Sequence, residues 1–338
     1  MGLVRILIFI VVGLVVIILS GNYLVSNAIK LSKITNIPEV MIGATVVSLA
    51  TTLPELSVTI FSSIENANSM AVGNAIGSMV FNLTFIIGLS VLFMPQKIKV
   101  SSFSKNFKFL IACLVLLFFI GAFNCMNYFY GILLLLMCGY YLTENFYNAK
   151  HHVYSEMVVV TEKVAYSKKD MFLTTLKLIC SSLFVLLGAK LLIEGCVDFA
   201  YGLNVSHHIV GVSIVAVGTS LPELVTAFSS IRKKSTSIAI GNIIGANILS
   251  CTLLMGASGV FNKGVLSFDS NITFFAIPLC FIALMIIYLP IRKKSETNRL
   301  QGVLLIALSI IYYLISFGNI WNRLLINYKK ERLWKNYF

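Results

Sequence analysis

The sequence predicts an all-α polytopic membrane protein, with ten transmembrane helices arranged as two inverted five-helix repeats. Three observations carry this. Of 338 residues, 58% are hydrophobic and only 12% charged, where a soluble domain carries about 25% charged. Apolar runs of about twenty residues recur along the chain, each long enough to cross ~30 Å of hydrocarbon as a helix. A stretch rich in polar residues also repeats itself after 168 positions.

Apolar length places the spans at 3–27, 40–64, 70–94, 107–123, 127–143, 172–200, 208–231, 237–261, 271–290 and 300–318. The first outruns a normal signal-peptide core and reads as a spanning helix rather than a cleaved leader. Lys and Arg alternate between successive connections. One set holds Lys30 and Lys33; Lys97, Lys99, Lys105 and Lys108; Lys150, Lys163, Lys168 and Lys169; Arg232, Lys233 and Lys234; and Arg292, Lys293, Lys294 and Arg299. The opposite set holds Lys263. Basic residues stay on the cytoplasmic side, so the amino terminus and the even-numbered loops face out. The net charge of +13 therefore sets orientation and does not point to nucleic acid. The tail after Trp321 is basic although ten spans would put it outside. Three explanations stay open: a last segment that does not cross, an interfacial helix, or a bias that fails at a terminal tail.

Residues 1–143 and 172–320 thus form two halves joined by a cytoplasmic linker at 144–171, with a basic tail at 321–338. The linker is too short to build a core of its own. The seven cysteines lie in or beside apolar segments without paired spacing, and read as packing residues rather than a disulfide framework or zinc site.

Within the halves, residues 43–93 align without a gap on 211–261, identical at 18 of 51 positions. Thr51-Thr52-Leu53-Pro54-Glu55 falls on Thr219-Ser220-Leu221-Pro222-Glu223, and Gly73-Asn74-x-x-Gly77 on Gly241-Asn242-x-x-Gly245. Five spans separate the copies, so they enter the membrane from opposite faces, as in inverted-repeat transporters whose site lies near the midplane.

Glu55, Glu223 and Glu194 are the acids placed well inside apolar segments. A carboxylate in hydrocarbon costs roughly 2.5–3.5 kcal/mol on insertion scales, and neither repeat helix carries a basic residue. The remaining partners for the Glu55 and Glu223 pair are a cation or a proton. Thr51 and Thr52, like Thr219 and Ser220, precede each Glu by four and three residues and share its helix face. Pro54 and Pro222 withhold an N–H and are expected to free carbonyls near Ser48, Thr51, Ala216 and Thr219. Ser78 and Asn82 are expected to face Glu55; their equivalents are Ala246 and Ser250, with Asn247 adjacent. Such an all-oxygen set suits a hard cation; Ca²⁺ takes about six to eight oxygens. The glycines of the Gly-Asn-x-x-Gly segments are expected to allow close helix approach. Asn74 and Asn242 read either as part of the site or as interhelical hydrogen-bonding residues. Lys190 and Glu194, spaced i, i+4, are expected to form an ion pair. No His-Glu-x-x-His, phosphate-binding loop or nucleophile–base pair occurs, which argues against a zinc peptidase, ATP-driven transport and an enzyme generally.

The paired motifs resemble the two alpha-repeats of the sodium/calcium exchanger family, within the cation/Ca²⁺ exchanger superfamily, most of all its compact prokaryotic members. The resemblance implies ten helices around a central site for which Ca²⁺ and Na⁺ compete, with no other cofactor. By motif position, Glu55, Glu223 and the carbonyls of Thr51 and Thr219 would hold Ca²⁺. The hydroxyls of Thr52 or Ser220, Ser78 and the carbonyls of Ser48 and Ala216 would serve Na⁺, with Asn82 beside the Glu pair. Three positions depart from the family pattern: Met79 where Asn is usual, Ala246 where Ser is common, and Ser250 where Asp or Asn is frequent. The expectation is a Na⁺/Ca²⁺ antiporter of a prokaryotic plasma membrane, a monomer sufficing. Exchange of Ca²⁺ or another divalent cation against H⁺ is the alternative.

Overall fold

The computed structural model describes residues 3–95, 100–156, 167–202, 216–262 and 264–316. Among these the chain is helical throughout, with one isolated β-bridge between Met126 and Leu266. We number the helices α1 (Leu3–Thr35), α2 (Glu39–Thr51), α3 (Leu53–Ile64), α4 (Asn68–Phe93), α5 (Val100–Ala122), α6 (Tyr128–Glu156), α7 (Lys168–Gly202), α8 (Ala216–Thr219), α9 (Leu221–Arg232), α10 (Ser237–Phe261), α11 (Ile272–Lys294) and α12 (Arg299–Ser316). Among the described residues, seven helices are long and apolar enough to cross a membrane, eight when the bent pair α2–α3 counts as one span. This is an integral membrane protein. The first third of the seventh expected span, residues 208–215 with His208, and the tail beyond 316 lie outside the described residues, as does His207.

Apolar length understated two helices. The first runs to Thr35 rather than 27, and the fifth runs to Glu156 rather than 143, through Glu144 and Asn145. A helix continues past the apolar slab wherever its backbone bonds are still made, so polar residues end a span without ending the helix. Most of the expected 144–171 linker is therefore helical.

Side chains of α4 and α10 form the centre. Ile76, Met79, Leu83 and Ile87 pack with Ile240, Ile244 and Ile248, all at most 1% exposed, and Phe107, Leu114, Tyr141 and Leu284 from α5, α6 and α11 close around them. α1 and α7 instead lie along each other at the edge and present Ile8, Val11, Leu183 and Phe184 outward. In a membrane protein such exposure faces lipid and needs no further burial.

Two departures from regular helix position the site. The second span bends by 46° between α2 and α3. Pro54 has no N–H for the carbonyl of Ala50, and its ring crowds that turn, so the α-helical ladder stops at Thr52 (φ −80°, ψ −4°). Ser220, before Pro222, takes the same conformation (φ −89°, ψ 5°). Second, π-helical turns begin at Asn82 and at Ser250, the same position of each repeat. In both, a threonine hydroxyl turns back onto the ladder at 2.6 Å, Thr84 to Val80 and Thr252 to Ile248.

The glycine reading holds at α10 but not at the start of α4. A Cβ on Gly245 would meet the Ala44 carbonyl and the Ser48 hydroxyl, whereas one on Gly73 meets nothing within 4 Å. Gly245→Ala is thus expected to cost about 1–3 kcal/mol by overpacking. Gly73→Ala should be neutral or stabilise by about 0.5–1 kcal/mol, as for any helical glycine with room. Thermal unfolding of the two purified variants checks the contrast.

Candidate cation site

Glu55 and Glu223 stand in the first turns of α3 and α9, 1% and 0% exposed, and their carboxyl groups lie close enough to interact. Each helix begins at a break, so its N-terminal N–H groups bring partial positive charge to the carboxylate. The carbonyl end of α2 brings partial negative charge to the same level, where a cation would be held. No lysine or arginine forms an ion pair with either carboxylate among the described residues.

The other expected residues fall into groups. Ser220 Oγ donates to Glu55 Oε1 at 3.2 Å. Among the described residues, the expected site oxygens that are buried without a protein hydrogen-bond partner are Thr52 Oγ1, Glu55 Oε2, both Glu223 oxygens, Asn82 Oδ1 and Asn247 Oδ1. Asn247 Nδ2 donates to the Ile243 carbonyl at 2.6 Å, while its Oδ1, an acceptor, has no donor among the described residues. The turn bearing Asn82, expected to face Glu55, packs against α9, the helix of Glu223; the turn bearing Ser250 packs against α3, the helix of Glu55. Ser78 and Ser250 bond back to the carbonyls of Ala75 (3.1 Å) and Ala246 (2.9 Å). The Ser48 carbonyl is not freed by the proline, because it accepts the Thr52 N–H at 3.0 Å; the carbonyl that loses its donor is that of Ala50. Ala216 opens α8 at the edge of the described residues.

The asparagines of the two Gly-Asn-x-x-Gly segments clamp the breaks. Asn74 Nδ2 donates to the Glu55 carbonyl (3.1 Å) and to Thr59 Oγ1 (2.9 Å), while its Oδ1 accepts from Thr219 Oγ1 (3.2 Å). Asn242 Nδ2 donates to Thr226 Oγ1 (3.0 Å), and its Oδ1 accepts from Thr51 Oγ1 (3.1 Å). Each asparagine therefore ties the helix end before one break to the helix start after the other. The Thr51 and Thr219 hydroxyls are thus both engaged in the clamps. Thr59 and Thr226 are missed by repeat alignment, since the 168-residue shift sets Thr59 opposite Ala227 and Thr226 opposite Val58. Tyr141 is missed as well; its hydroxyl donates to the Ala44 carbonyl at 2.7 Å from outside either repeat.

Comparison with known proteins agrees with this architecture. Residues 5–146 and 173–318 match the family described as sodium/calcium exchanger protein. The chain belongs to the sodium/calcium exchanger family. It is 29% identical over 345 residues to the sodium/calcium exchanger MaX1 of Methanosarcina acetivorans, across 90% of this chain and 96% of that one. It is 28% identical to the putative antiporter CaxA of Alkalimonas amylolytica, across 92% and 98%. Among solved structures, the sodium-calcium exchanger NCX_Mj soaked with 10 mM Na⁺ and zero Ca²⁺ superimposes with a TM-score of 0.81 at 25% identity, covering 93% of this chain and 99% of that one.

Removing one clamp leaves buried groups without partners, which costs about 1–3 kcal/mol for each. Asn242→Ala is expected to lower thermal stability on that scale and to weaken cation binding together with it. Thr226→Val, which removes one acceptor from the clamp but leaves its bond to Thr51, should do less of both. Thermal unfolding with and without Ca²⁺ reads the two effects.

Proposed function

We propose that this protein is a secondary antiporter that exchanges Na⁺ for Ca²⁺ by alternating access, through ten spans in two inverted halves. One observation carries the reading: among the described residues, two fully buried carboxylates interact with no basic partner, amid hydroxyl and amide oxygens that have no protein partner of their own. A divalent cation balances such a pair, and so do two monovalent ones, which makes Ca²⁺ and Na⁺ natural competitors for one set of ligands. Glu55, Glu223, and the carbonyls of Thr51 and Thr219 would hold Ca²⁺. Thr52, Ser220, Ser78, and the carbonyls of Ser48 and Ala216 would serve Na⁺, with Asn82, Asn247 and Ser250 lining the centre. Family membership and the named exchangers among its relatives support this assignment. All of these ligands come from one chain, so a monomer suffices. Archaeal and bacterial relatives of nearly the same length fit a prokaryotic plasma membrane.

A second reading, Ca²⁺ or another divalent cation against H⁺, draws on Ala246 and Ser250. Ala246 offers no side-chain oxygen, and the Ser250 hydroxyl donates into its own helix. Both changes reduce what is available to Na⁺ while leaving the Glu pair intact.

Reconstituted into Na⁺-loaded liposomes and diluted into Na⁺-free buffer, the protein is expected to accumulate radiolabelled Ca²⁺. Glu55→Gln and Glu223→Gln should each abolish uptake. Uptake driven by a pH gradient alone would favour the second reading, and no Ca²⁺ movement under either gradient would refute both for Ca²⁺.

A further inference from the structure

The α1–α7 pair is fastened to the rest of the protein unequally at its two ends. The two helices approach closely, so that a Cβ on Gly13 would meet the backbone of Gly188 and Leu192, and one on Gly188 would meet Ile17. Toward the end that the Lys and Arg bias assigns to the cytoplasm, α1 is bonded to α9. Ser229 Oγ donates to Asn22 Oδ1 at 2.6 Å, and Lys233 Nζ donates to Ser26 Oγ at 2.7 Å and to the Asn22 carbonyl. Gly21 lies against Val225 just above them. Toward the outer end, α7 touches α3 far more sparsely. There Lys190 and Glu194 form the expected pair at 3.9 Å, with side chains 74% and 47% exposed, and Glu65 at the end of α3 is exposed too.

The 168-residue shift maps one end onto the other. It carries Asn22 to Lys190, Ser26 to Glu194 and Lys233 to Glu65. The backbones agree with it. Lys233 (φ −90°, ψ 6°) and Glu65 (φ −79°, ψ 3°) close their helices alike, and each is followed by a residue at φ 57°, Lys234 and Asn66. The next residues bond back in the same way, Ser235 to Ser230 at 2.9 Å and Ala67 to Ser62 at 2.8 Å. The same corner is thus built twice with different side chains.

We infer that the two corners are alternating halves of one latch: Lys233 with Asn22 and Ser26 holds the cytoplasmic face shut, and Glu65 with Lys190 holds the outer face shut. The inference rests on the inverted-repeat antiporter reading above. In such a transporter one half rocks against the other about a fixed site, and the contact that Lys233 makes in one state falls to Glu65 in the other. The chemistry matches, because a carboxylate then arrives where an ammonium replaces an amide. Lys190 already pairs with Glu194, and its three N–H donors would let it serve Glu65 as well once that corner closes. Its pair with Glu194 keeps it at that corner while the latch is open. An exposed pair of this kind shifts a two-state population by about two- to fivefold, enough to bias a cycle without arresting it.

Two double-cysteine variants test this in liposomes, Glu65→Cys with Lys190→Cys and Asn22→Cys with Lys233→Cys, each with the exposed Cys180 changed to Ser. A short reducible thiol cross-linker is applied across Na⁺ and Ca²⁺ titrations. Both pairs are expected to link, with yields that move in opposite directions, and each link should stop Ca²⁺ uptake until it is reduced. A Glu65/Lys190 pair that never links while the other does, or that rises and falls with it, overturns the latch. Reciprocal yields in a protein whose unmodified form moves no Ca²⁺ under a Na⁺ or pH gradient would leave the latch standing and refute the transported ion instead. Without cross-linking, Glu65→Gln and Lys233→Met should change the ratio of half-saturating Ca²⁺ at the two faces about two- to fivefold in opposite senses; a change in the same sense also overturns it.

Discussion

Two carboxylates sharing one buried place is the constraint on which the rest of the molecule depends. Taking a charge from water costs several kcal/mol even after relaxation, and a second like charge beside it adds to that cost. Among the described residues the protein supplies no ammonium or guanidinium in compensation. It supplies helix ends instead: the N–H ends of α3 and α9 at the carboxylates, and hydroxyl, amide and carbonyl oxygens around them. Such a site is balanced only when something positive occupies it. That is the requirement an exchanger needs, because a site that cannot cross the membrane cycle unbalanced couples the ions that balance it.

The polar clamps explain why the breaks in the helices stay where they are. Pro54 and Pro222 interrupt the ladders, but an interrupted helix in a membrane would expose backbone groups without partners. Asn74 and Asn242 bind across the breaks, each joining residues of the two repeats, and Ser220 reaches Glu55 in the same crosswise way. The two halves of the site are consequently held by one another. A displacement of one break would pull on the ligands of the other, which is a physical route by which a single bound ion can be sensed by both halves.

Much of this was legible in the sequence for identifiable reasons. Glu55 and Glu223 stood out because charge is scarce in apolar segments, and the 168-residue repeat paired them. Helix positions followed from apolar length, and the Lys190–Glu194 pair followed from helical spacing. Three things were hidden. The π-helical turns at Asn82 and Ser250 arise from backbone registration that no residue type announces. The partners Thr59 and Thr226 occupy positions one residue out of register between the repeats, so alignment conceals them. The room beside Gly73, where Gly245 has none, depends on what a neighbouring helix brings there. The carbonyl that loses its donor to Pro54 is that of Ala50, beside Thr51, while that of Ser48 still accepts the Thr52 N–H.

The central claim is that Glu55 and Glu223 together hold one divalent cation in competition with Na⁺. Equilibrium dialysis of the purified protein against radiolabelled Ca²⁺ tests it without reference to transport. The account predicts one Ca²⁺ per chain, displaced as Na⁺ is raised at constant ionic strength, and no such site when either glutamate is replaced by glutamine. Binding that survives the loss of one glutamate, or that K⁺ displaces as well as Na⁺ does, would contradict it.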